Sequence, residues 1–211
     1  MLSSNVGPAG NDPNITTVSV KPFVGQKPDI FGLWKKAKEF MQPGYVEAFV
    51  QSTFNAMRAS VSGDFSRSTL VVGADWRDYN EWRDYNTEGI QKILHVAIGN
   101  EFGRVLVGRG GILSTEAMSA LILSRKAFGG LLLSAAQNPG GMDADFGIRY
   151  NISNGGPAPE AITDRIYEFT QLINHYYWFQ YHDIKIDEVS MQTYALTEIE
   201  VFDPLGPTGR S

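Results

Sequence analysis

Residues Asp145–Asp164 read DFGIRYNISNGGPAPEAITD. Phe146–Ile152 carries the aromatic and β-branched residues of a strand. Pro159 at the first helical position and Glu160 beside it then open a long helix, expected to run through about Tyr177. The same alternation extends outward in both directions. Upstream, Tyr45–Ala59 places Val46, Phe49, Val50, Phe54 and Met57 at helical spacing. Thr69–Val72 is a short buried strand ended by Gly73, and Glu88–Asn100 is a helix with Ile90, Ile93, Leu94 and Ala97 on one face. Arg104–Val107 is the next strand, Ser114 caps a helix over Thr115–Lys126 with Glu116 in its first turn, and Gly130–Ser134 is another strand. Downstream, Ile184–Asp187 and Ile199–Phe202 close the pattern as strands. Short apolar strands alternating with helices predict one α/β domain built on a mostly parallel sheet.

Two flanks fall outside this alternation. Met1–Pro28, rich in Gly, Pro, Asn and Ser, reads as an extended arm with one short edge strand at Thr16–Val20. Asp203–Ser211, with Pro204, Gly206, Pro207 and Gly209, reads as an irregular tail. The expected organisation is therefore an arm over residues 1–28, a domain over 29–203 and a tail over 204–211.

The chain has 211 residues, against about 150 for a typical domain, so two full domains are not expected. Its 18 basic and 23 acidic residues leave a net charge of −5, which disfavours a protein built on nucleic-acid phosphates. With no cysteine there is no disulfide framework, thiolate metal site or Cys nucleophile. The apolar run near Ala127–Ala136 is about half the ~20 residues of a membrane span, so no direct membrane insertion is expected. The N-terminal stretch lacks the pattern of a signal peptide or an Arg-rich presequence, which makes the cytoplasm the default, with an organellar or cytoskeletal assembly left open. The sequons at Asn14 and Asn151 are then chance matches.

A general search for chemistry finds little. His95, His175 and His182 do not stand at metal-ligand spacing, and no metal or cofactor is expected. Gly108-Arg109-Gly110-Gly111, between a strand and a helix, lacks the full glycine spacing of a phosphate loop. Asp75, Asp78 and Asp84 read as solvated loop carboxylates. Trp76–Glu81 (WRDYNE) is followed at once by Trp82–Thr87 (WRDYNT). The plain reading is a duplicated loop; the sharper one is a contact patch of Trp76, Arg77, Tyr79, Trp82, Arg83 and Tyr85, residue types that dominate binding hot spots.

Gly111–Thr115 (GILST), Asn138–Gly141 (NPGG) and the segment Asp145–Asp164 closely resemble eukaryotic phosphoglucomutases, with weaker matches at Gln26–Pro28, Gly32-Leu33, Val71–Gly73 and Gly103-Arg104. They cover roughly Gln26–Pro204, the first domain of that family. The resemblance implies a three-layer α/β/α domain around a mixed, mainly parallel sheet. It also implies descent from an enzyme that interconverts glucose 1-phosphate and glucose 6-phosphate through a phosphoserine. At the positions that carry this chemistry the sequence departs from the pattern. The family's loop Thr-Ala-Ser-His-Asn-Pro-Gly-Gly is here Ser134-Ala135-Ala136-Gln137-Asn138-Pro139-Gly140-Gly141. Ala136 has no oxygen to accept a phosphoryl group, and Gln137 does not titrate near neutral pH as the His would. Arg149 stands in place of a Lys and does not readily shed a proton. The family's Gly-Thr-Ser-Gly-Leu-Arg becomes Asp29–Trp34, so that Ile30, Phe31 and Trp34 replace two hydroxyls and a cation. Ser134, two residues upstream of Ala136, lies ~6–7 Å away along an extended chain, too far to substitute. The family's metal, sugar and distal phosphate loops belong to later domains, beyond the matched region.

Three functions follow as expectations. One is a non-catalytic structural or interaction subunit whose partners are other protein chains, contacted through Phe31, Trp34 and the Trp76–Tyr85 patch. Another is a sugar-phosphate binder that uses Asn138, Gly140, Gly141 and Arg149. The last is a fragment of a phosphoglucomutase-type enzyme.

Overall fold

Val71 and Val72 are neighbours on one strand, point to opposite faces, and are both fully buried. A strand covered on both sides needs a layer above and a layer below, and the molecule supplies them. The structure, a computed structural model, describes residues 12–58, 64–75, 80–135, 142–204 and 206, with the backbone alone for 80–85. The strands are β1 (Ile15–Ser19), β2 (Leu33–Lys36), β3 (Thr69–Asp75), β4 (Arg104–Ile112), β5 (Gly129–Ser134), β6 (Asp145–Ile152), β7 (His175–Phe179), β8 (Ser190–Tyr194) and β9 (Thr197–Phe202). The helices are α1 (Ala37–Phe40), α2 (Tyr45–Arg58), α3 (Asn80–Gly99), α4 (Thr115–Ser124) and α5 (Glu160–Leu172).

Seven strands form one mixed sheet in the order β2-β6-β5-β3-β4-β9-β8. Its centre, β5-β3-β4-β9, is parallel, while β6 and β8 run antiparallel to their neighbours. On one face Leu70, Val72, Leu131, Leu133, Ile148 and Ile199 pack beneath α2, α3 and α5. On the other, Val71, Leu106 and Leu132 pack against Met118 and Ile122 of α4. This is the α/β architecture expected, with five of the seven strands pointing one way. Ser114 caps α4 as anticipated, its hydroxyl accepting from the Ala117 N–H at 3.1 Å.

Helix α2 is buried almost all round, polar residues included. The Ser52 and Thr53 hydroxyls bond back to the Ala48 and Phe49 carbonyls. Gln51 and Asn100 exchange a reciprocal amide pair at 2.9 and 2.8 Å, and Gln51 Oε1 also accepts from the Tyr177 N–H at 3.1 Å. One satisfied network thus ties α2, the end of α3 and β7 together.

Several boundaries differ from expectation. The helix opened by Glu160 ends at Leu172, and His175–Phe179 is a strand, not its last turn. The reason lies far upstream: β7 pairs antiparallel with β1 through five residue pairs, from Ile15 with Phe179 to Ser19 with His175. This part of the arm is therefore built onto the domain, as is Gln26, buried with its Nε2 donating to the Tyr45 carbonyl at 2.8 Å. Pro159 precedes α5 in extended backbone instead of sitting inside it. Ile184–Asp187 is not a strand; it is a strap whose Ile184 and Ile186 are buried and whose backbone bonds to the Gln91 side chain and the Gly110 N–H. The strand that pairs with β9 is β8 instead. Strand β3 runs through Gly73, where a Cβ would stand 2.3 Å from Leu113 Cβ, so glycine there permits close approach and does not end the strand.

Candidate functional site

The candidate site is the edge of the sheet where β3 and β5 end. Register places Trp34, Gly147, Ser134 and Asp75 side by side across β2, β6, β5 and β3. Two-residue periodicity puts them on the α4 side of the sheet, together with Arg149, two residues from Gly147. In open α/β sheets, ligands gather outside the carboxyl ends of the parallel strands.

One wall of this edge is a tight turn. Asp29 and Gly32 exchange two backbone bonds, each 3.1 Å, and the Phe31 N–H donates to Asp29 Oδ1 at 2.6 Å. Gly32 has φ +114°, and a Cβ on it would lie 2.5 Å from the Ile148 carbonyl oxygen, so the turn is seated directly on β6. The Phe31 carbonyl accepts from Trp34 Nε1 at 3.1 Å and from Arg149 Nε at 3.3 Å. The Trp34 indole lies over Gly147, where a Cβ would meet three ring atoms at 2.7–2.8 Å. At the tip, Ile30 and Phe31 project into solvent, 45% and 60% exposed.

The structure thus brings together Phe31, Trp34, Arg149 and Ser134 from the sequence-derived candidates. Arg149 has its Nε committed to the Phe31 carbonyl, while its outer guanidinium edge has no partner among the described residues. Ala136, Gln137, Asn138, Gly140 and Gly141 lie outside the described residues. The chain returns from that loop at Met142 and is held by α1 and β2. Met142 and Ala144 accept from the Lys38 and Ala37 N–H groups, and Lys38 pairs with Asp143 and Lys36 with Asp145, at 2.5 and 2.7 Å. The Lys38 ammonium holds the Asp143 carboxyl below the usual range.

Trp76, Arg77 and Tyr79 also lie outside the described residues, as do the side chains of Trp82, Arg83 and Tyr85. The backbone of 82–87 belongs to α3, so the second copy of the tandem hexapeptide is helical, not loop. Gly108–Gly111 does not stand between strand and helix; it is an excursion within β4, where the register with β3 shifts. Gly110 and Gly111 take φ +66° and +78°, the Gly110 N–H donates to the Ile186 carbonyl at 2.7 Å, and Arg109 faces Asp203 at 3.7 Å. The Gly110 amide and the Arg109 cation already have partners within the chain.

The histidines stay apart. His95 is buried in the core, its Nδ1 2.6 Å from the Phe179 carbonyl and its ring stacked on Trp178; burial pulls its pKa below the ordinary value. His175 lies on β7 beside Asn174, and His182 packs edge-on to Tyr181. Among the described residues no three His, Asp or Glu side chains gather as metal ligands, and no helix is long and apolar enough to cross a membrane. Sequence reasoning missed the seat of Trp34 on Gly147. The signal was present: a glycine between Phe146 and Ile148 inside a strand marks a close approach.

Residues 25–176 match the family profile of phosphoglucomutase/phosphomannomutase, alpha/beta/alpha domain I. The chain belongs to this family. It is 46% identical over 191 residues to a phosphoglucomutase of Rhizobium radiobacter, covering 90% of this chain and 33% of that protein. With a phosphoglucomutase of Aspergillus fumigatus it shares 44% identity over 188 residues, covering 89% of this chain and 32% of the other. A crystal structure of the exocytosis-sensitive phosphoprotein pp63/parafusin, a phosphoglucomutase from Paramecium in its open form, superposes with a TM-score of 0.78. That match has 34% sequence identity and covers 90% of this chain and 35% of the other. The chain therefore spans about a third of the length of these phosphoglucomutase relatives. The family's first domain is the architecture described above, a mixed sheet between helical layers.

Proposed function

We infer that this chain is a non-catalytic phosphoglucomutase domain I that serves as a structural or interaction subunit. The observation that carries this reading is Ala136 at the position of the phosphorylated serine, because a methyl group offers no oxygen for phosphoryl transfer. Gln137 in place of His and Arg149 in place of Lys remove the adjoining groups suited to acid–base work. The turn beside Arg149 supports the binding half of the reading. Phe31 and Ile30 stand out on a rigid support, and Trp34 covers Gly147 where the family pattern has a cation. Aromatic side chains held in place lose little entropy on docking and serve well as anchors. The same reading places the chain in the cytoplasm, with other protein chains as partners.

Its test is native isolation followed by sizing and identification of what co-purifies. The chain should elute in a defined complex that Phe31→Ala and Trp34→Ala each weaken. A lone monomer, unchanged by either substitution, overturns the interaction role.

A second reading has its own observation, the outer edge of the Arg149 guanidinium, without a partner among the described residues and on the same face of the sheet as Ser134. It suits a phosphate, and so a sugar-phosphate-binding regulator. Calorimetry with glucose 1-phosphate decides it: saturable heat that Arg149→Ala abolishes supports the regulator, and no heat at millimolar ligand removes it. A third reading, a portion of a phosphoglucomutase-type enzyme, requires Ala136→Ser to give turnover once the remaining domains are supplied.

A further inference from the structure

The turn between β6 and α5 contains the dipeptide Asn154-Gly155. Asn-Gly is the pairing in which a main-chain amide most easily attacks the preceding side chain, because glycine has no Cβ to obstruct it. Asn154 is exposed at the tip of the turn. Two groups needed for that reaction are held in other bonds. The Gly155 N–H, which carries the nucleophilic nitrogen, donates to the Ile152 carbonyl at 2.9 Å. Asn154 Oδ1, on the carbon to be attacked, accepts from the Gly156 N–H at 2.8 Å. The Ile152 N–H returns a bond to the Gly156 carbonyl at 2.9 Å, and Gly155 takes φ +79°, which closes a tight hairpin with a glycine bulge.

The turn is also tethered from outside. The Gly155 carbonyl accepts from Ser119 Oγ of α4 at 2.8 Å and from Asn151 Nδ2 of β6 at 3.0 Å. A Cβ on Gly155 would lie 3.0 Å from the Ser119 carbonyl oxygen, so the turn rests directly on α4. Of the contacts that hold Gly155, the Ser119 hydroxyl is the one that a single methyl-sized substitution removes.

We propose that Asn154 is a latent deamidation site, closed while its turn is docked on α4 and opened when that docking is lost. In the open turn the Gly155 nitrogen attacks Asn154 Cγ, the Cγ–Nδ2 bond breaks, and ammonia leaves with the proton from the Gly155 amide. The product is a five-membered succinimide. Water then adds to either of its carbonyls and gives Asp or isoaspartate at position 154. Isoaspartate inserts one methylene carbon into the main chain of a turn closed by two backbone bonds. It therefore displaces Gly155 from Ser119 and unhooks α4 from the β6–α5 connection. This modification does not depend on the functional reading above.

Peptide mapping by mass spectrometry follows conversion of Asn154 in the folded full chain, in its Ser119→Ala variant and in a synthetic peptide of the loop. The folded chain should deamidate at least about tenfold more slowly than the peptide, since two hydrogen bonds must open first. Ser119→Ala should deamidate several-fold faster than wild type while its thermal melt still shows a folded protein. Hydrogen exchange at the Gly155 amide of the wild-type chain gives a second measure, needing no variant: the amide should be protected, by a factor no larger than the slowing of deamidation, because exchange requires only the first of the two bonds to open. A folded chain that deamidates as fast as the peptide overturns the proposal. So does a folded Ser119→Ala variant that keeps the wild-type rate, or a Gly155 amide that exchanges without protection.

Discussion

Gly147 is the residue on which the aromatic wall rests. A methyl group there meets the Trp34 indole at 2.7–2.8 Å, and the ring is held through its Nε1 by the Phe31 carbonyl. Gly147→Ala is expected to lower stability by about 1–3 kcal/mol, the usual cost of overpacking, and to shift tryptophan emission as the ring is driven off the sheet. Denaturant melts and fluorescence read both. A second residue-scale prediction concerns pH. Burial depresses the His95 pKa in the folded chain, so the unfolded chain takes up a proton first as pH falls below the ordinary value of 6.5. Stability is then intact above that pH and declines below it, until the folded-state pKa is reached. His175, also held low by burial, adds a contribution of the same sign. His95→Gln should flatten most of this decline in melts taken between neutral pH and pH ~5; an unchanged slope contradicts the assignment.

At the scale of elements, β1 and β7 form a ladder between residues far apart in the sequence. Removing the chain through Ser19 strips five cross-strand pairs from β7 and should cost about 1–5 kcal/mol, visible as a lower midpoint in urea. This ladder also shows what the sequence could and could not reveal. Helix α4 was legible because its signals are local, a Ser114 cap and an acidic first turn. Strands β5, β6 and β9 were legible because they are short apolar runs between turn residues. The run His175–Phe179 resembles a helix end until its partner is known, and that partner lies at the other end of the chain. Ile184–Asp187 alternates like a strand, yet its apolar residues plug the core while its backbone bonds to a side chain and a glycine amide. Strand β8, with Ser190, Gln192 and Thr193, carries too little apolar pattern to be found alone. At the candidate site, Phe31, Trp34 and Arg149 could be named from the sequence, whereas the acceptor that Trp34 and Arg149 share, the Phe31 main-chain carbonyl, could not.

For the whole molecule, sheet order, layers and family membership agree on phosphoglucomutase domain I, over about a third of the length of the relatives it matches. The framework keeps the family's shape, and the sequence departs from the family pattern at Ala136, Gln137, Arg149 and Trp34. The proposed non-catalytic role rests on those replacements within a retained fold. The most direct measurement is a coupled mutase assay on the purified chain with glucose 1-phosphate, its 1,6-bisphosphate activator and magnesium. No glucose 6-phosphate should form above the protein-free blank at any chain concentration. Turnover that rises in proportion to the chain and survives repeated purification would contradict the account.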